Sequence, residues 1–295
     1  MKTAIVISSL NRPEILHETV AALSRQTVSP IAIILSLCNA DSVHENTAKL
    51  PMIRIVQGPK GLTKQRNSGV AAMPVEAKYV LFLDDDIELA PNYIESMERL
   101  LDGAPGVVMA SGVSAMDGLR LARALTRGEA VAAALQHRCE NKSEKAEGAY
   151  GCNMFVRQSL LVSVRFDERL PLDSWLEDYD FSLRASAKGD VVWNFGTCVA
   201  HLGAQRLGPE RGFLVGYAQI ANSFYLWQKG LIPTFGKLLA KFWLPALRVS
   251  LQGTVHGKPP WNAVFDYKGR MRGNARALAD AGCFRLRPER ILDFI

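Results

Sequence analysis

Apolar residues enter this chain in short bursts separated by periodic, half-polar stretches. Residues 3–9 (Thr3-Ala4-Ile5-Val6-Ile7-Ser8-Ser9) are a compact β-branched run, and 31–37, 53–56 and 79–83 repeat that character. Tyr79-Val80-Leu81-Phe82-Leu83 is apolar on both faces. Between the bursts, Pro13 opens a periodic stretch to Arg25, and 61–72 reads as a helix. Buried strands alternating with helices predict a parallel sheet covered on both sides, which is an α/β fold. Further on, 92–101 reads as a helix and 107–113 as a strand. An Ala-rich helix is predicted over 120–135. Residues 136–148 are polar and aperiodic, a surface loop or a lid over a site. Strand character resumes at 154–156, a helix over 175–188 is closed by Gly189, and 191–195 is a last strand. A helix over 210–229 follows, with Tyr217, Ile220, Phe224 and Trp227 near one face and Gly230 as its C-cap.

Composition changes this picture in one place. With 48% hydrophobic and 22% charged residues in 295, the chain is globular, one large domain or a domain with an extension. Its formal net charge is +6, unevenly spread. Residues 1–205 hold 21 basic and 24 acidic side chains; residues 206–295 hold 14 and 5. The expected boundary is therefore near 205, with a catalytic unit over 1–205 and a basic, largely helical extension over 206–295. Five cysteines (38, 139, 152, 198 and 283) never form a CxxC pair, which argues against a disulfide framework and a structural zinc site. Asn11-Arg12-Pro13 interrupts the first apolar run too early for a signal peptide. Gln219, Asn222, Ser223 and Gln228 interrupt the uncharged stretch after Arg211, so no spanning helix is predicted. The expected location is cytoplasmic.

The loudest chemical signal is Asp84-Asp85-Asp86, which directly follows the apolar strand. In a parallel sheet that is the carboxyl end, where open α/β folds bind ligands. Adjacent carboxylates repel one another unless a cation neutralises them, and oxygen donors at a phosphate-handling site suit Mg2+ or Mn2+. The alternative is a solvated acidic turn. A P-loop needs GxxxxGK[ST], which Gly58-Pro59-Lys60-Gly61-Leu62-Thr63-Lys64 does not supply. A haloacid-type phosphatase needs DxDx[TV], but Glu88 stands in the last position.

Five segments in order then resemble family 2 glycosyltransferases of the GT-A fold, over roughly residues 3–205. Ile7-Ser8-Ser9-Leu10-Asn11-Arg12-Pro13 is similar to the family's first strand and turn, and Gly61-Leu62-Thr63-Lys64-Gln65-Arg66-Asn67-Ser68-Gly69 to its Gly…Ala-Arg-Asn-x-Gly helix. Asp84-Asp85-Asp86 falls at its DxD, Gly151-Cys152-Asn153-Met154 at its acceptor-side Gly-x-Asn turn, and Trp175-Leu176-Glu177-Asp178-Tyr179-Asp180-Phe181 at its Glu-Asp motif. The implied fold is a Rossmann-like, mostly parallel sheet with helices on both faces. Its nucleotide-sugar half spans about 1–115 and its acceptor half about 116–205.

The resemblance implies an inverting, metal-dependent transfer of a sugar from a nucleoside diphosphate to a hydroxyl. Asp86, with Asp84 and His201, would hold Mn2+ or Mg2+; a lone His is otherwise a structural residue. Ser9, Leu10, Asn39, Arg66, Asp84 and Asp85 are the expected donor-side residues, Arg66 being either a clamp on the nucleotide or a surface ion pair. Asp178 is the implied general base and Glu177 an orienting neighbour, against simple helix capping. Gly151, Cys152, Asn153 and Trp175 are expected on the acceptor side. The family's base-reading acidic turn is replaced by Leu37-Cys38-Asn39-Ala40-Asp41-Ser42, so uridine, thymidine and guanosine donors all stay open.

The basic extension adds a partner. Over 234–252, Lys237, Lys241 and Arg248 share one helical arc, with Phe235, Leu238, Leu239, Phe242, Ala246 and Val249 opposite and Pro245 as a kink. This reads either as a helix on an anionic membrane surface or as one docked on the catalytic unit. The first reading gives a peripheral protein on the inner face of the cell membrane, with a lipid-linked saccharide acceptor in polysaccharide assembly. Nucleic acid is not expected, because no binding motif is present and the acids would repel it. The rivals are a sugar-1-phosphate nucleotidyltransferase and an inactive carbohydrate-binding scaffold.

Overall fold

The computed structural model describes residues 2–39, 42–121, 123–173, 175–203, 211–256 and 266–295. The expected boundary at 205 and the acid at position 41 fall outside them.

Four early strands form the parallel half of one sheet: β1 (Thr3–Ser9), β2 (Ala32–Leu37), β3 (Ile53–Gln57) and β4 (Tyr79–Asp84), ordered β3-β2-β1-β4. β1, β2 and all of β4 but its last residue are buried, as apolar runs on both faces require. β3 differs. It was expected to be buried, yet it is the edge strand, and Arg54 and Ile55 are exposed. The crossovers are α1 (Pro13–Leu23), α2 (Glu45–Ala48) and α3 (Leu62–Ala71). Pro13 sits in the first turn of α1, where its missing N–H costs nothing. α3 lies hard against β1, since a Cβ on Gly69 would come within 2.4 Å of the Val6 side chain.

The second half of the sheet is mixed. It contains β5 (Ile87–Leu89), β6 (Val107–Asp117), β7 (Ser143–Lys145), β8 (Asn153–Arg157) and β9 (Asp190–His201). β8 runs antiparallel to both β4 and β6, β9 is parallel to β6, and β5 is antiparallel to the end of β9. Around it lie α4 (Tyr93–Gly103), α5 (Arg127–Gln136) and α6 (Glu177–Ser186). Two expectations need correction here. The helix predicted from residue 120 begins only at Arg127, after the Thr126–Glu129 capping box has fixed its start. The segment 136–148 is no free lid: β7 pairs with β9, and Phe195 exchanges backbone hydrogen bonds with Glu140 and Lys142.

Beyond residue 210 the elements among the described residues are helical: α7 (Arg211–Gln228), α8 (Phe235–Leu238), a π turn (Leu239–Trp243), α9 (Leu244–His256) and α10 (Tyr267–Gly282). Pro245 explains the π turn. It has no N–H for the Lys241 carbonyl, and the Leu244 N–H bonds instead to the Leu239 carbonyl, five residues back. α7 and α10 pack at backbone distance, and a Cβ on Gly216 would meet the Arg270 carbonyl at 2.0 Å.

These helices are docked on α6 and the segment before it. Leu238, Trp243 and Ala246 join Tyr217, Ile220 and Leu226 in one core with Leu170. Lys229 binds Asp167 at 2.8 Å and pairs with Asp180, and the Tyr225 hydroxyl donates to Asp167 at 2.9 Å. The apolar arc expected to enter a membrane is thus largely used inward: Leu238 and Ala246 are buried, Leu239, Phe242 and Val249 half-buried. Nor is the basic surface continuous, because Arg270 is bonded to Gln219, and Arg276 and Arg290 are paired with Asp280.

Candidate active site

Sheet register gathers the site. β5 begins just after Asp86 and pairs Ile87 with His201, while β6 pairs Asp117 with His201. Residues from three separate stretches therefore meet at one point. The His201 Nε2 stands 3.3 Å from Asp86 Oδ1, and its Nδ1 stands 3.5 Å from Asp117 Oδ1. Tyr150 donates to the other Asp117 oxygen at 2.6 Å. Burial works against a charged imidazole, but Asp117 and Asp86 overcome it and hold His201 up at about 10. Burial likewise works against the Asp117 carboxylate, yet His201 and Tyr150 bring it down to about 2.

The three consecutive aspartates have three environments. Asp84 is part-exposed and accepts from Arg66 at 3.1 Å. Asp85 is 1% exposed, accepts from Ser9 at 2.5 Å and is ion-paired with Arg12. Burial raises it to about 6 against the pull of Arg12. Asp86 faces His201, with Arg12 at 3.7 Å. Asp85 and Ser9, both expected on the donor side, are buried and bind each other.

A second acidic centre lies across a buried arginine. Arg66, 2% exposed, donates to Glu177 at 2.9 Å, to Asp84 at 3.1 Å and to the Gly151 carbonyl at 2.8 Å. It is no surface ion pair but a buried strut between the end of β4 and the start of α6. Leu176, in the left-handed region at φ 70°, turns the chain into α6. Asp178 then accepts from the Gly151 N–H at 3.0 Å and the Tyr179 N–H at 2.7 Å. Burial raises both acids, Glu177 to about 8 with the help of neighbouring Asp178, and Asp178 above the usual carboxylate value despite its backbone hydrogen bonds. Burial at a helix start thus outweighs the helix dipole.

Asp178 also borders a pocket of about 400 Å3, shared with Glu147, Tyr179, Trp193, Lys241 and Phe242. Of the residues expected on the acceptor side, Gly151 lies beside Asp178. Cys152 and Asn153 do not reach the pocket: both are buried, and Asn153 donates to the Gly112 carbonyl at 3.1 Å. Trp175 is 46% exposed, its carbonyl held by Asn222, and it lies outside the pocket lining. Leu10 is half-buried at the end of β1, and Asn39 is exposed beyond β2. Sequence reasoning missed Asp117, Tyr150 and Trp193, which carry no local motif. Arg12 was visible within a motif but had no assigned partner.

The donor set fits a divalent cation shared with an anionic ligand. Asp86 offers an oxygen at this edge and His201 a nitrogen once a cation displaces its proton, and Asp117 backs the imidazole as second partners of metal-bound histidines do. Among the described residues no group of three or more His, Cys, Asp and Glu side chains is arranged to hold an ion alone. A Mg2+- or Mn2+-type site completed by phosphate oxygens matches that count.

With this geometry in hand, the chain can be classed. The model of the family described as glycosyl transferase family 2 matches residues 4–168, more than half of the chain, and the chain belongs to that family. Among relatives, the uncharacterized glycosyltransferase YwdF of Bacillus subtilis (strain 168) is 32% identical over 108 residues, covering 35% of this chain and 40% of that protein. Among solved structures, GalNAc-T7 with UDP, GalNAc and Mn2+ superposes with TM-score 0.58 at 12% identity, over 97% of this chain and 58% of that one. S. aureus TarS 1–349 gives 0.56 at 14% identity, over 98% and 89%, and its complex with UDP-GlcNAc 0.55 at 15%, over 98% and 90%. The mixed α/β architecture is thus the GT-A fold.

Proposed function

We propose that this protein is an inverting glycosyltransferase that moves a sugar from a nucleoside-diphosphate donor to a hydroxyl acceptor. One observation carries the reading. Arg66 joins two acidic centres, the Asp84–Asp86–His201 edge and the Glu177–Asp178 helix start, and only the second opens on the pocket.

Asp86 and His201 would hold Mn2+ or Mg2+, with Asp84 next to them, and the ion would supply Lewis-acid neutralisation of the diphosphate. Asp117 holds the imidazole with Nε2 toward Asp86. Arg12 and Arg66 keep the buried carboxylates compensated. Asp178 takes the proton of the acceptor hydroxyl as its oxygen bonds to the anomeric carbon. The bond from that carbon to the diphosphate oxygen breaks, and its electron pair leaves with the nucleoside diphosphate. A raised pKa brings Asp178 closer to working pH, which favours it as a base. Glu177, bound to Arg66, positions the helix start. Family 2 membership and a relative's complex with UDP-GlcNAc support a nucleotide-sugar donor.

Turnover of nucleotide sugars with Mn2+ tests the reading. Nucleoside diphosphate release is expected. Pyrophosphate release would indicate a nucleotidyltransferase, and no turnover a scaffold. NMR of the product should show the inverted anomer.

A membrane-facing acceptor is a second reading with its own observation. No helix among the described residues is long and apolar enough to cross a bilayer. On α9, however, Leu244, Arg248, Leu251 and Val255 are exposed and share an arc of roughly 60°. That stripe suits an anionic membrane surface and a lipid-linked saccharide. Co-sedimentation should show stronger binding to anionic than to neutral liposomes, and equal or absent binding would remove the membrane from the picture.

A further inference from the structure

The pocket beside Asp178 is built from two parts of the chain that sequence analysis kept separate. Tyr179, on α6, and Trp193, on β9, belong to the catalytic unit; Lys241 and Phe242 come from the π turn of the extension. Tyr179 and Phe242 have ring centroids 5.9 Å apart, and the Lys241 ammonium lies 4.7 Å from the Tyr179 ring centre. On the rim, Tyr179 donates to Glu147 at 2.5 Å, while Lys241 donates to the Tyr179 hydroxyl at 3.0 Å and is ion-paired with Glu147. The result is three aromatic side chains around a space of about 400 Å3, a polar rim, and one carboxylate with raised proton affinity.

We propose that this pocket receives a pyranose ring of the acceptor, and that Phe242 and Lys241 are its specificity-determining residues. The assignment rests on the transferase reading above. The volume falls in the range of ligand sites, which pair apolar walls with a few placed polar groups. A pyranose matches that lining: its C–H face packs on aromatic rings, and its hydroxyls exchange hydrogen bonds with Glu147, Lys241 and Asp178. The donor side does not compete for this space, since Asp86 and His201 lie outside the lining. The π turn has a matching consequence. By adding one residue to a turn, it advances Lys241 and Phe242 relative to an uninterrupted α-helix.

The experiment is saturation-transfer NMR on the full chain with three probes: the methyl β-pyranosides of glucose, galactose and N-acetylglucosamine. At least one should receive saturation on its ring protons. Phe242→Ala and Trp193→Ala should each weaken its binding about tenfold, and Lys241→Met, at a half-exposed position, should change the ranking of the three probes. Calorimetry with UDP, TDP and GDP in the presence of Mn2+ should give the same affinities in all variants, which also reports that they fold. The pocket assignment is overturned if no probe binds the wild type, or if Phe242→Ala and Trp193→Ala bind as the wild type does. If no diphosphate binds the wild type, the transferase reading falls instead.

Discussion

His201 presents its Nε2 to Asp86 at 3.3 Å while Asp117 supports the opposite nitrogen. If this pair holds the metal, Asp86→Ala should abolish Mn2+-dependent diphosphate binding while the melting temperature stays near wild type. Asp117→Asn should weaken Mn2+ affinity by about 10–100-fold, as removal of a supporting partner does. Calorimetry on both variants checks the order, and wild-type metal affinity in Asp86→Ala would refute the assignment.

Asp178→Asn keeps the shape of the side chain but cannot accept a proton. Turnover should fall by roughly 10²–10⁴ with diphosphate affinity unchanged. Because only the ionised carboxylate is active and burial raises its pKa, wild-type kcat should decline on the acid side at a pH above the ordinary Asp value. A kcat profile of wild type and variant decides this, and undiminished turnover in Asp178→Asn would move the base elsewhere.

Arg66 is the buried cation between two carboxylates. Arg66→Met should leave Asp84 without its cation and Glu177 without its buried hydrogen-bond donor, and destabilise the fold by about 3–5 kcal/mol, the scale for losing one partner of a buried pair. Urea unfolding measures it. A loss under about 1 kcal/mol would mean that the carboxylates find other partners or protonate without consequence.

Asp167, in the segment before α6, is tied to α7 and the residue after it through Tyr225 and Lys229. Burial opposes its charge, but Lys229, the Arg169 N–H and Tyr225 outweigh that and hold its pKa below the usual value. Such a group stabilises fully above the unfolded value of about 3.9, and the stabilisation is lost as pH falls through the lower folded value. Asp167→Asn should therefore flatten the acid limb of stability below about pH 4. Thermal melts from neutral to acid pH test it.

The α7–α10 contact leaves no room at Gly216. Gly216→Val should part these helices and unfold the extension before the sheet, giving two transitions in calorimetry where the wild type gives one. A single, unshifted transition would show that Arg270 moves aside.

The sheet was legible where burial is symmetric, in the apolar runs of β1, β2 and β4. It was less so at β3, where Ile53, Ile55 and Val56 look buried but occupy an edge. Thr126-Arg127-Gly128-Glu129 carried the true start of α5, and the alanines before Thr126 masked it. The aspartate run announced a site, but Arg12, Arg66 and His201 divide its three members among different tasks, and those partners come from distant parts of the chain. Asp117 was invisible because register with β9, not local sequence, makes it a partner. In the extension the amphipathic arc was real, whereas its occupant, the core around Tyr217 and Leu170, could be read only from packing.

Arg66 has one further consequence. A single positive charge serves carboxylates on either side of it, Asp84 at the end of β4 and Glu177 at the start of α6. Whatever draws Asp84 away leaves the guanidinium more fully to Glu177, and occupancy on the acceptor side acts back through the same ion. Linkage makes the two effects equal in free energy, so filling either side should change the affinity of the other by the same factor, whichever is filled first.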